Sequence, residues 1–114
     1  MRSIVIDLDD TLCVRNPTYE YLGSPAKYSK CKPLKYVIGI VNEKFRGDHV
    51  TIYTSRGMTS LKGNISLIES KLRKVTEQQL QEWGVRYDAL VFGKLHYDLL
   101  IDDKVLNVED INKL

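Results

Sequence analysis

No stretch of this 114-residue chain is apolar for long enough to span a bilayer. The chain enters a strand-like pattern almost at once, leaving no room for a signal peptide, so a cytoplasmic protein without membrane contacts is expected. Excess charge is also lacking: 17 basic against 15 acidic residues give +2, too little to expect nucleic acid or a membrane surface as partner. Lys71, Arg73 and Lys74 form the only dense basic group, which reads as a solvated helix face. Cysteine is scarce. Cys13 and Cys31 could pair in principle, but a reducing compartment favours two free thiols, and neither has the companion ligands of a zinc site. His49 and His96 are isolated and carry no assignment, while the single Trp83 is expected in the core. What is left is one small domain whose 43% hydrophobic content suffices for a single core.

The first twelve residues organise the rest. Ile4, Val5 and Ile6 form a β-branched apolar run typical of a buried strand, followed directly by Asp7, Asp9, Asp10 and Thr11. Three carboxylates in four residues at a strand's end repel one another and resist desolvation, so they call for a counter-charge. Mg²⁺ suits them, because it takes oxygen ligands from one or two carboxylates, water and substrate phosphate.

Further along, Cys13–Lys32 contains Pro17, Gly23, Pro25 and three tyrosines without a clear period, and is expected to be a long loop with a short hairpin. Tyr19, Tyr21 and Tyr28 either pack this loop down or line a ligand. Pro33 suits a helix start; Leu34, Val37, Ile38, Val41 and Phe45 keep helical spacing up to a stop at Gly47. His49–Thr54 is a second strand and Gly57–Asn64 a loop. Ile65–Val75 is ambiguous, whereas Thr76 with Gln79 resembles a capping box opening a helix that ends at Gly84. Ala89–Phe92 and Leu99–Ile101 are expected strands, and Asn107 with Asp110 would cap a short terminal helix.

Strands alternating with helices imply a mostly parallel sheet, in which ligands bind at the carboxyl ends of the strands. All four expected strands end in chemistry: Asp7 and Asp9; Thr54, followed by Ser55 and Arg56; Lys94; and Asp102 with Asp103.

These blocks resemble the haloacid dehalogenase (HAD) superfamily of phosphotransferases. Asp7-Leu-Asp9-Asp-Thr11 is similar to its DxDxT motif, Thr54 to the second-motif hydroxyl, Lys94 to the third-motif lysine and Asp102-Asp103 to the acidic fourth motif. Lys32-Pro33, Thr54-Ser-Arg56-Gly-Met58, Gly63-Asn64 and Leu99-Leu-Ile-Asp-Asp-Lys104 further resemble the small phosphatases of capsular polysaccharide biosynthesis. The resemblance implies a three-layer α/β Rossmannoid fold, with a mostly parallel central sheet and helices on both faces. It implies a Mg²⁺-dependent phosphatase that hydrolyses a small-molecule phosphate ester, such as a sugar phosphate, through an aspartyl-phosphate on Asp7. The ion would be held by Asp7, the Asp9 carbonyl and a carboxylate of Asp102 or Asp103. Asp9 would act as general acid and then base, Thr54 would bond a phosphoryl oxygen, and Lys94 would neutralise shared charge. Ser55 and Arg56 would contact substrate, although Arg56 could equally form a salt bridge to a neighbouring acid. Asp10 is expected as a turn residue and Thr11 as a group that orders the loop.

Leu12–Lys32 and Gly57–Val75, about twenty residues each, are too short to fold as cap domains, so the site is expected to be uncapped. An open site implies a bulky substrate or a homo-oligomer in which a neighbour closes it. The rival from another class is a receiver-like phospho-acceptor module. Its acidic pair would close the first strand and its phosphorylated Asp the third, an order that does not match here. A phosphatase acting on nucleotide or nucleic-acid ends predicts a basic groove, which the near-neutral charge does not favour.

Overall fold

The computed structural model describes all 114 residues. Three parallel strands form the sheet: β1 (Ser3–Ile6), β4 (His49–Thr54) and β5 (Ala89–Phe92), with β4 in the centre. Ser3 pairs with His49 and Ile6 with Ile52, while Thr51 pairs with Ala89 and Thr54 with Phe92. This register lines up Ile6, Val50, Ile52, Leu90 and Phe92 on one buried face, as strands with a period of two require. A separate two-residue ladder joins β2 (Cys13–Val14) to β3 (Lys32–Pro33) antiparallel, the short hairpin expected in the loop.

Helix α1 (Lys35–Lys44) crosses from β3 to β4, and α2 (Ile65–Glu82) crosses from β4 to β5. Both crossovers step in one direction along the order β1-β4-β5, so right-handed connections put both helices over the same face. That corrects the expectation of helices on both faces. The core formed by Val37, Ile38, Val41, Ile68, Leu72 and Leu80 lies between helices and sheet, whereas Val5 and Val91 on the opposite face stay exposed. The architecture is two layers.

The boundaries follow from local chemistry. α2 is one continuous helix, because the Asn64 side chain accepts from the Leu67 N–H and caps it there. Thr76 and Gln79 therefore sit inside the helix and are buried, and the capping-box expectation fails at that position. Gly84, at φ +69°, stops the helix as expected. α1 already ends at Lys44, with the Phe45 N–H donating to Val41, ahead of Gly47. The terminal helix is a 3₁₀ turn, Val108–Lys113, opened by Asn107.

Leu99–Ile101 forms no strand. Only Gly93–Asp98 separates it from β5, and a parallel strand needs a crossover of a dozen or more residues. The run stays extended and in solvent, with Leu99 75% and Ile101 88% exposed. No helix is long and apolar enough to cross a membrane.

Candidate functional site

Three strand ends meet at the carboxyl edge of the sheet and, with Arg15, Lys27 and Tyr28 of the loop after β1, line an open cleft of about 510 Å³. β1 delivers Asp7, with Asp9 just beyond it; β4 delivers Ser55 and Arg56; the residue after Gly93 is Lys94. Past β1 the chain turns sharply, and the Leu8 carbonyl accepts from the N–H groups of Thr11, Leu12 and Cys13. Asp10 takes the left-handed conformation at φ +65° and donates its N–H to the Cys13 carbonyl at 2.7 Å, the turn role expected of it.

This turn aims both oxygens of Asp7 at partners. Lys94 Nζ lies 3.2 Å from Oδ1, and the Thr11 hydroxyl donates to Oδ2 at 3.3 Å. Thr11 was expected only to order the loop; here it also orients the carboxylate. Lys94 is held at its root by a bond from its N–H to the Thr54 carbonyl, and its ammonium sits 5.3 Å from the Tyr97 ring centre. Ser55 stands in the cleft wall and donates to the Leu95 carbonyl. Thr54 is buried beneath, its hydroxyl oxygen accepting from the Arg56 N–H at 3.1 Å.

Arg56 is the largest correction. Its side chain is fully enclosed and every N–H is engaged inside the protein. Nε and Nη2 each donate to Asp9 at 2.9 Å, a two-pronged fork on one carboxylate. Nη1 donates to Thr76 Oγ1 at 3.0 Å and to Gln79 Oε1 at 2.6 Å, and Nη2 also faces Cys13 Sγ at 3.9 Å. The guanidinium lies 4.9 Å from the Tyr28 ring centre. Burial works against its charge, but the hydrogen bonds and charge of Asp9 outweigh that and hold the group above its ordinary pKa. No donor remains for substrate, so of the two alternatives open for Arg56 the salt bridge is realised.

Asp9 changes with it. Both its carboxylate oxygens accept from Arg56, so in this arrangement the side chain is an acceptor rather than a ready proton donor. Cys13 and Cys31 also converge on it, with Sγ atoms 3.3 and 3.6 Å from Oδ1. Asp9, Cys13 and Cys31 thus form the cluster of metal-type ligands absent from the sequence expectation, yet the cation beside it is Arg56. The two thiols are free. A hydrogen bond to Cys31, burial and the Asp9 charge push the Cys13 thiol up, whereas the same bond pulls Cys31 down.

Two donors suited to a hard cation are in place: the Asp7 carboxylate, and the Asp9 carbonyl, which accepts no hydrogen bond from the chain. Asp102 and Asp103 are not brought into this shell. Both are exposed, and Asp102 Oδ1 accepts from the N–H groups of Asp103 and Lys104 in its own turn. The Asp103 side chain and those two N–H groups hold Asp102 below its ordinary pKa.

Thr76, Gln79 and Tyr28 were missed as parts of this construction. Their signal is a stripe on α2, where Thr76 and Gln79 continue the buried row of Ile68, Leu72 and Leu80; polar groups on an apolar stripe imply a buried polar partner. Tyr28 does both: it is buried, its hydroxyl accepts from the Gly57 N–H at 3.1 Å, and it also lines the cleft. Tyr21 is exposed.

Neither a family model nor a protein of curated function matches the chain. The fold is similar to that in the crystal structure of a target protein from Vibrio cholerae, at 25% sequence identity and a TM-score of 0.82, over 100% of this chain and 89% of that one.

Proposed function

We propose that the chain is a Mg²⁺-dependent phosphatase of the HAD type, acting on a small phosphate monoester such as a sugar phosphate. The observation that carries this is the pairing of Asp7 with Lys94 at 3.2 Å, at the mouth of an open cleft at the strand ends. A carboxylate fixed by Thr11 on one oxygen and screened by an ammonium on the other can approach a phosphoryl group despite its own charge. Bound at Asp7 and the Asp9 carbonyl, with an Asp102 or Asp103 carboxylate added, Mg²⁺ would supply further screening of the phosphate oxygens.

Asp7 attacks phosphorus, the P–O bond to the alcohol breaks, and the leaving oxygen takes a proton. Water then attacks the aspartyl-phosphate, gives up a proton and returns Asp7 as a free carboxylate. The acid and base of these two steps would be Asp9, which has to leave the Arg56 fork to take and give the proton. Ser55, in the cleft wall, would bond a phosphoryl oxygen. Thr54 lies buried beneath the cleft and would have to give up its Arg56 N–H contact to do the same. Lys94 would neutralise charge between phosphate and Asp7.

The test is phosphate release from sugar phosphates, nucleotides and an aryl phosphate, with Mg²⁺, with chelator, and with Asp7→Asn. Metal-dependent turnover lost in Asp7→Asn is the expected result. Stable acid-labile labelling without turnover would replace this function with the receiver-like one, and neither signal would remove the mechanism.

A further inference from the structure

Cys13 and Cys31 have no part in the phosphatase chemistry, yet they stand beside its acid–base group. Both are buried, at 0% and 7% exposure, and both are free thiols. A buried cysteine can serve as a small apolar side chain, but these two also meet charge. Their Sγ atoms converge on one carboxylate oxygen, Asp9 Oδ1, at 3.3 and 3.6 Å, and lie within 4.8 Å of each other. The sulfurs of a disulfide stand about 2.05 Å apart. Side-chain rotation and a small shift of one segment close that gap.

The fold holds the two segments side by side for this. The antiparallel ladder sets Cys13 opposite Pro33 and Val14 opposite Lys32. Cys31 continues β3 backwards with extended backbone, two places before Pro33, so its side chain leaves the ladder on the same side as that of Cys13. Cys13 is fixed, with its N–H on the Leu8 carbonyl and its carbonyl on the Asp10 N–H. Cys31 is the one free to shift, because it follows the single 3₁₀ turn Tyr28–Lys30 and its N–H donates back into that turn.

We propose that Cys13 and Cys31 form a reversible redox site, a dithiol in reducing surroundings that hydrogen peroxide closes into a disulfide. Cys31, which alone of the two reaches the surface, reacts first. Its sulfur gives up its proton and attacks one peroxide oxygen; the O–O bond breaks, and hydroxide leaves with that proton as water. Cys13 Sγ then attacks the sulfur of the resulting sulfenic acid. The S–O bond breaks, and the second hydroxide leaves with the Cys13 proton as a second water. The pair loses two electrons and the peroxide gains them, and an added dithiol reverses the bridge by exchange. The bridge ties both ends of the loop that brings Arg15, Lys27 and Tyr28 into the cleft wall. It also removes two S–H donors from Asp9 and leaves the Arg56 fork as its hold.

The test treats the full chain with hydrogen peroxide and counts thiols after unfolding in denaturant. A fall from two thiols per chain to none is expected, with a mass lower by two hydrogens, no link between copies on a non-reducing gel, and full recovery with dithiol. Closing a loop of this length should raise the melting temperature by roughly 10 °C over the reduced protein. Cys13→Ser removes the second sulfur, so Cys31 should stop at a sulfenic acid that dimedone captures, whereas Cys31→Ser should leave Cys13 unreacted. Where a serine disturbs the fold, the wild-type count decides by itself. Two thiols retained under peroxide that oxidises a small free thiol overturn the site. So does over-oxidation of one sulfur without a bridge, a bridge between copies, or a melting temperature that falls on oxidation. None of these readouts uses turnover, so the redox site and the phosphatase reading stand or fall separately.

Discussion

Replacing Arg56 by methionine keeps the reach of the side chain and removes all its donors. Asp9 then loses the fork that binds both its oxygens, while Thr76 and Gln79 lose their shared partner in a closed interior. Removing one member of a buried ion pair leaves an uncompensated charge and costs about 3–5 kcal/mol. The Asp9 side chain is 18% exposed, so some water reaches it and the lower part of that range applies. At several degrees per kcal/mol in a domain of this size, the melting temperature should fall by roughly 15 °C. Calorimetry and urea unfolding measure this directly. The double variant Arg56→Met/Asp9→Asn should recover at least about 1 kcal/mol, because the orphaned charge is gone and the two sites are coupled. A loss below about 1 kcal/mol in Arg56→Met, the size expected of a surface pair, would refute the view of Arg56 as the buried post on which Asp9 is mounted.

Lys94→Ala should lower turnover by about 100-fold while leaving the fold intact, read by steady-state kinetics beside circular dichroism; near-normal turnover would exclude Lys94 from charge neutralisation. Gly57→Ala should destabilise by about 1–3 kcal/mol in denaturant unfolding, since its φ is +81° and a Cβ would meet Ile68 Cγ1 at 2.7 Å and Leu72 Cδ1 at 2.9 Å. Asp48 is held below its ordinary pKa of 3.8 by hydrogen bonds from the Arg2 side chain and N–H. Because its folded pKa is the lower one, its contribution is complete above 3.8 and disappears as pH falls through the folded value; Asp48→Asn should flatten the acid limb of stability measured by unfolding below pH 4.

The sheet was legible because each strand has a local cause: β-branched runs at Ile4–Ile6 and His49–Thr54, and an apolar run at Ala89–Phe92, all bounded by polar residues. α2 was read as half its length because Thr76 and Gln79 reproduce the spacing of a capping box, and their real partner lies twenty residues or more away at Arg56. Leu99–Ile101 has the composition of a strand, but composition says nothing about whether a partner edge is within reach. The same limit applies at the cleft. The juxtaposition of Asp7 with Lys94 followed from strand ends sharing an edge, whereas the capture of Asp9 by Arg56 depends on side-chain direction, which spacing does not carry.

The parallel register of β1 with β4 carries a kinetic consequence. Ser3 finds its neighbour in His49, and the chain between them supplies a two-residue ladder, two short 3₁₀ turns and one α-helix. During synthesis at about 5–20 residues per second, the first strand therefore waits several seconds for the strand that completes it. For that interval an apolar strand is out in the open, followed within four residues by three carboxylates. The aspartates that form the cleft in the finished protein thus also set three negative charges beside the strand whose partner lies farthest along the chain.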